Sequence, residues 1–483
     1  MSDMGLSIAA SGLAASTAEL NTASNNLANV STPGYATEQV NLSPEATAGP
    51  LSAGQGVIVG SITNLTDAVY VTANIAAQGV QGAATEANQV MGSIEALFPE
   101  PTSNGIASSL NTLWSSFATL ATNANQVGAQ QGVVSAAQAV ATLLNGGFSQ
   151  LSQLASSLQT SVGSGGADGG SLSQVNSLLQ QVAQLNATIV AGAVSGQNAN
   201  ALIDQSSAAV AKLAGYLGVS TSTNANGSTN VYMNGVQLVG GNVAQTLSTT
   251  GSSSTGNLAI TTSNGVNVLV GGSIGADLTA VNSTIPNFQN ELNGVADSLA
   301  TTLNSLQAGG MSASGVPGAA IAGGATALPN IFVDNGSATT YTSSGSGVNS
   351  AATITVSPAL LADPSLIATA AAPAPGNSNV VGTATLDGTN AQVMAAVASQ
   401  AGGPDTLFQS MIGSLGTQAS NASTTSNAAQ ALATTASANL SAISGVNQNT
   451  QEINIVAAQN AFQANSSVVS SIKACLQSLL AAV

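Results

Sequence analysis

The chain has 483 residues, enough for two or three domains and a sizeable buried core. Only 4% of them are charged, with 18 acids, two lysines (Lys212 and Lys473), no histidine and a net charge of -16, whereas an ordinary soluble domain is about 25% charged. That balance speaks against nucleic acid as a partner and removes every mechanism that needs imidazole as base or metal ligand, while a single cysteine, Cys475, excludes an internal disulfide.

The elements are taken in chain order. Leu6, Leu13, Leu20 and Leu27 recur every seven residues. Ala9, Ala23 and Val30 hold companion positions three residues on, with Ser16 as the polar exception. This spacing predicts a coiled-coil seam, capped by Asp3 and stopped by Pro33-Gly34. The start MSDMGLSIAASGL has no basic region and does not read as a secretory signal peptide. No run of about 18 apolar residues exists, so no transmembrane helix and no membrane partner are expected.

From about Gln81 to Tyr216 the apolar spacing predicts several helices. Their stripes are Leu110 to Leu120, Leu143 to Leu158 and Leu172 to Ile189, with GSGGADGG (163–170) as a loop. Two hairpins follow, turning at Asn234-Gly235 and Asn264-Gly265. A helix is predicted over Ile285–Leu306, carrying Phe288, Leu292, Val295, Leu299 and Leu303 on one face. Residues 331–384 read as short strands and loops, with AATITV (351–356) the best strand and AAPAPG (371–376) a linker. Helical pattern resumes near Asn390. At the end Ile455, Phe462, Val469, Leu476 and Val483 recur every seven residues, with Ile472 and Leu479 beside them.

These elements predict an α+β fold, mainly α: an elongated chain with paired terminal coiled-coil helices, a helical body with β-hairpins and a small β-rich outer segment. The expected division is 1–32 with 446–483 as an assembly domain, 33–330 with 385–445 as the body, and 331–384 as the small segment. The assembly seam is expected to consist of Leu6, Leu13, Leu20, Leu27, Ile455, Phe462, Val469, Ile472, Leu476 and Leu479. Two narrow stripes make a marginal unit alone, so these helices are expected to order against copies of themselves or partners.

Chemistry-bearing patterns are weak. GGSIG (271–275) fits G-x-S-x-G around Ser273, but a triad has no histidine here. GQGVIVG (54–60) has the wrong spacing for a dinucleotide fingerprint, and GGADGG (165–170) resembles one fragment of a calcium repeat, of which a solitary copy makes no site. The acids are scattered, with Glu95 and Glu100 the one near pair. Cys475 reads as a small buried apolar residue. No catalytic, cofactor-binding or metal-ligating residue and no cofactor are expected.

NNLANVSTPGY (25–35) resembles the signature of flagellar axial proteins, and SGVNQNTQEINIVAAQNAFQANSSVV (444–469) resembles their closing segment. The motif positions are Asn25, Asn26, Asn29, Pro33, Gly34, Tyr35, Gly445, Val446 and Asn447. The middle stretches 98–122, 180–219, 233–241, 285–311 and 354–370 are similar to the hook-associated protein 1 (FlgK) family, in the family's order. Family acids after the closing GVN are replaced by Gln448, Asn449, Thr450 and Gln451, and the usual Tyr of the closing helix is Phe462. Asp67 and Asp204 stand where family acids are expected.

The resemblance implies a structural, non-enzymatic part of the extracellular flagellum that joins hook to filament and is exported unfolded through the flagellar type III channel. It implies copies of itself in a ring, the hook protein, the second junction protein and an export chaperone as partners. Alternatives are another axial protein or an extracellular adhesin. The scarcity of charge suggests an acidic exterior, where contacts made by apolar, amide and hydroxyl groups persist and ion pairs do not.

Overall fold

The computed structural model describes residues 2–45, 54–163, 170–195, 199–255, 257–318, 327–346, 348–371 and 386–481. The chain opens with α1 (Ser2–Ala28). An antiparallel hairpin follows, β1 (Glu38–Pro44) with β2 (Val57–Asn64), its register shifting between Asn41 and Leu42. Five helices come next: α2 (Ala68–Leu97), α3 (Ile106–Thr122), α4 (Val127–Val162), α5 (Gly170–Ser195) and α6 (Asn200–Leu217). The helical stretch expected from about Gln81 therefore starts earlier. Asp67 sets that start by accepting the Val69 N–H at 2.8 Å.

Two small antiparallel sheets follow. The first runs β3 (Ser220–Thr223), β4 (Thr229–Met233), β5 (Val236–Gly240) and β6 (Val243–Ala244); the second runs β7 (Leu247–Thr250), β8 (Ala259–Thr262) and β9 (Asn267–Val268). Between β4 and β5, Asn234 at φ 44° and Gly235 at φ 83° make the two-residue turn that the Asn-Gly pair predicts. At Asn264-Gly265 only the glycine is left-handed, at φ 78°, and the loop is longer.

The chain then runs through α7 (Gly272–Thr279), a π-helical turn (Ala280–Thr284) and α8 (Ile285–Gly309). After these come β10 (Gly310–Ser312), β11 (Phe332–Asp334), α9 (Ser350–Thr353), β12 (Ile354–Val356), α10 (Pro358–Ala362), β13 (Ala368–Ala371) and α11 (Thr389–Ala396). Two long helices close the chain, α12 (Pro404–Ser444) and α13 (Gln448–Ala481). Strands β10 and β13 pair antiparallel, as do β11 and β12. Residues 164–169 of the GSGGADGG loop and 372–376 of the AAPAPG stretch lie outside the described residues.

Two hydrophobic cores hold the body. The first joins α3, α4, α8, α11, the start of α12 and the far end of α2, around Leu110, Phe117, Leu144, Phe288, Leu299 and Phe408. The described part of 331–371 packs into this same core through Phe332, Ile354, Val356, Leu360 and Ile367. The second core lies under the two sheets, where α5, α6 and α7 bring Val175, Leu179, Leu213, Leu217 and Ile274 against Val231, Leu238 and Ile260. Helix α2 spans both, with Ile75 in the second core and Ile94 in the first.

The helical stripes are the buried faces their spacing predicts. What attaches strands and loops to them is a set of side-chain amides. Asn176 takes both the N–H and the C=O of Leu247, each at 2.8 Å. Asn282 does the same to Leu258 and Asn304 to Phe332. Gln307 accepts the Ala368 N–H at 2.9 Å and donates to the Leu366 carbonyl at 2.8 Å. One amide thus supplies both partners that a backbone residue would find in a neighbouring strand, without any charge.

The same device corrects the expectation for AATITV. Asn293 accepts the Ala351 N–H at 2.9 Å, and Asn145 donates to the carbonyls of Ala351 at 2.7 Å and Ile354 at 3.2 Å. With those groups taken by helix side chains, residues 350–353 make a helical turn and only Ile354–Val356 form a strand.

Candidate functional site

Helices α1 and α13 pack antiparallel. Gly5 faces Ile472, Gly12 faces Asn465 and Asn26 bonds Gln451, so each seven-residue step up α1 meets a seven-residue step back along α13. The contact is built from small and polar residues. Ala9, Ala15, Ser16, Ala23 and Asn26 of α1 are buried, with Ala458 and Gln451 of α13. A Cβ on Gly12 would stand 2.8 Å from the Asn465 amide, which is closer than real Cβ contacts allow. Small residues at heptad spacing let the two backbones approach, and Ser16, the apparent exception, turns its hydroxyl onto the Gly12 carbonyl at 2.9 Å.

The large residues of the expected seam lie beside this contact. Leu13, Leu20, Leu27, Ile455, Val469, Ile472 and Leu476 are half-buried, while Leu6 is exposed. Phe462 is 43% exposed and Ile453 69%. Met4, Ile8, Val456 and Val468 are exposed as well. The side chain of Leu479 and the whole of Val483 lie outside the described ones. Cys475 is exposed rather than buried, because it lies one position off the inward phase that Ile472 and Leu476 occupy. Asp3 lies within α1 rather than before it, as the helix already starts at Ser2.

The signature residues form the joint between the terminal pair and the body. Asn26 is 1% exposed. Its Oδ1 accepts the Tyr35 hydroxyl at 2.8 Å and the Glu38 N–H at 2.9 Å, and its Nδ2 donates to the Glu38 carbonyl at 2.9 Å and Gln451 Oε1 at 3.2 Å. One amide therefore joins α1, the following loop, β1 and α13. Asn29 donates to the Asn25 carbonyl at 3.0 Å, and Thr32 donates its hydroxyl to Asn29 Oδ1 at 3.1 Å. Gly34, at φ 81°, makes the left-handed step after Pro33 that brings Tyr35 back over the helix end. Burial and then the Glu38 carboxylate push the Tyr35 hydroxyl up to about 12, so it remains a donor.

The closing motif has equally plain reasons. A Cβ on Gly445 would stand 2.3 Å from the Ser441 carbonyl, so the chain leaves α12 here only with glycine. Asn447 Oδ1 accepts the Thr450 N–H at 3.1 Å and caps α13. Val446 lies between the two, beside the 29–35 loop. The Thr37 N–H bonds the Ser444 carbonyl at 2.7 Å, tying hairpin and helix end together.

On the body side, Asp204 of α6 accepts the Ala36 N–H at 3.1 Å and Asn64 Nδ2 at 2.6 Å, while Asn200 Nδ2 donates to Glu38 Oε1 at 3.0 Å. Burial, with the Glu38 charge adding, raises the Asp204 carboxyl to about 6 against the pull of those two bonds. The family resemblance singled out Asn25, Asn26, Tyr35 and Asp204 separately. Their meeting with Glu38, Asn64, Asn200 and Gln451 carries no periodic signal.

Residues 91–321 match the model of the flagellar hook-associated protein FlgK helical domain, and residues 6–35 match that of the flagella basal body rod protein. Flagellar hook-associated protein 1 of Escherichia coli K12 is 28% identical over 330 residues, covering 64% of this chain and 58% of that protein. Its namesake from Bacillus subtilis 168 is 32% identical over 238 residues, covering 46% of this chain and 45% of the relative. The chain thus spans about half the length of the curated relatives it matches. The structure of the flagellar hook junction protein FlgK from Burkholderia pseudomallei shares the fold, with TM-score 0.56 and 19% identity over 76% of this chain and 98% of that one. The helical body and the N-terminal segment each match in their proper places, so the chain is similar over about half its length to the FlgK hook-associated proteins and shares their fold.

Proposed function

We propose that this chain is a structural subunit of the junction between flagellar hook and filament, and that α1 and α13 are its assembly element. The observation that carries this reading is the division of labour on the terminal pair. Small residues close the two helices on each other, and Phe462, Ile453, Val456, Met4 and Ile8 are left facing outward. Large apolar residues on a helix pair with no core of its own are the surface that neighbouring subunits bury.

In this reading residues 1–32 and 446–483 form the innermost, channel-lining layer of the junction. Residues 33–330 with 385–445 form the body outside it, with 331–384 as a small attached segment. The subunit leaves the cell unfolded through the flagellar export channel, with a chaperone on the C-terminal helix, and assembles on the hook protein below the second junction protein. It works as a structural part, not as a catalyst. No described helix is long and apolar enough to cross a membrane. The N-terminal motif is shared with rod proteins, and the match over 91–321 favours the junction over a rod position. Electron microscopy of flagella carrying a labelled copy tests this: label is expected in a single band between hook and filament. Label along the hook, along the filament or on the cell surface contradicts it.

A further inference from the structure

Helix α7 lies against α2, with α6, α4 and the π-helical turn around it. Its Asp277 is 4% exposed, and no N–H or hydroxyl of the described residues reaches its Oδ1. Its hydrogen-bond partner is the carboxyl of Glu86 on α2. Two carboxylates have no hydrogen between them to share, so this bond exists only while one of the pair is protonated. The surrounding elements offer little else. Helix α2 carries Tyr70, Glu86 and Glu95, α6 carries Asp204, Lys212 and Tyr216, and α4 and the π-helical turn carry no titratable group. Of these, Glu86, Lys212 and Tyr216 line an open cleft that also touches Ser273, one turn before Asp277. The cleft gives the pair a path to exchange its proton with solvent.

We propose that Asp277 and Glu86 form a proton-bridged clasp that holds α7 on α2 in acid and loosens when the pair gives up its proton. Burial first, then the Glu86 charge and the bond to it, raise Asp277 from 3.8 to about 8. A carboxyl that holds its proton more tightly when folded contributes stability that is complete below its unfolded value, near 4. That contribution drains away up to the folded value and stays lost above it. Beyond α7 the effect reaches the second core, to which α7 contributes Ile274 and Leu278. The chain has no histidine, and Asp204, the other carboxyl raised to about 6, lies on α6, outside both 272–279 and the reference stretch 172–190.

The test is hydrogen exchange on the full chain at pH 6, 7 and 8, read as protection factors for 272–279 with 172–190 as reference. The unmodified protein is expected to lose protection in 272–279 towards tenfold per pH unit, the limit for one proton. Asp277→Asn, whose amide donates to Glu86 at any pH, is expected to stay within about twofold. A flat profile in the unmodified protein, or the same fall in Asp277→Asn, overturns the proposal. A second measurement needs no variant: the infrared band of a protonated carboxyl is expected at pH 6.5 and gone by about pH 9. Its absence at pH 6.5 also overturns the proposal.

Discussion

Phe462→Asp and Ile453→Asp, together in one chain, are expected to abolish incorporation into the junction while leaving the subunit folded. Both side chains face outward from α13, 43% and 69% exposed, so the free subunit loses little when they change. In the assembly each apolar side chain would contribute roughly 1.5–3 kcal/mol on burial. A carboxylate in its place adds a desolvation cost on top. Together they remove on the order of 3–6 kcal/mol per subunit contact, a hundredfold or more in affinity, and a ring repeats that loss at every contact. The readouts are the circular dichroism of the purified subunit, expected unchanged, and its content in isolated flagella, expected absent. Normal incorporation would remove the assembly role from this face of α13.

The second large effect is a reversal of sign within one helix. Gly82 of α2 crosses α6 so closely that a Cβ would stand 2.0 Å from the Gly215 carbonyl oxygen. The obstacle is backbone, which cannot swing aside as a side chain can. Gly92, in the same helix, is exposed and has nothing within 4 Å of its Cβ direction. Alanine raises intrinsic helix stability by up to about 1 kcal/mol over glycine. Gly92→Ala is therefore expected to stabilise the protein slightly. Gly82→Ala is expected to destabilise it by about 2–3 kcal/mol, because α2 must move off α6 and open the second core. Thermal unfolding of the two variants beside the parent checks this. A stabilising Gly82→Ala would mean that the crossing is not tight.

These cases show what patterning could reach. The stripes from Leu110 to Leu158 and from Phe288 to Leu303 were legible because a helix face repeats, and burial follows the repeat. At the termini the heptad was legible, with Ala9, Ser16 and Ala23 on its companion positions, but which of its residues close the contact was not. Large residues draw the eye to Leu6, Leu13 and Leu20, whereas close packing selects Gly5, Ala9, Gly12 and Ser16. The amides of Asn176, Asn282 and Asn304 look like ordinary polar-face residues in a helix, since their partners are backbone groups far along the chain. For the same reason AATITV read as a longer strand than Ile354–Val356. Glu86 and Asp277 meet only in three dimensions.

The scarcity of charge now has a structural counterpart. Amides make the cross-links between segments, and an amide does not titrate. The half-buried carboxyl of Asp204 and the buried one of Asp277 both hold protons more tightly than free ones do, to about 6 and about 8. Both therefore contribute most stability in acid and lose it as the pH rises towards those values. Structure and composition point the same way, to a part whose contacts persist at low pH.

The proposed assembly role rests on one property, a terminal pair that is incomplete alone and is finished by its neighbours. Hydrogen exchange on the free subunit and on the assembled junction measures that property directly. In the free subunit residues 2–28 and 448–481 are expected to exchange about tenfold or more faster than the buried helix at 172–190, and to become protected on assembly while 172–190 stays as it was. Terminal helices already as protected as 172–190 in the free subunit would contradict the account.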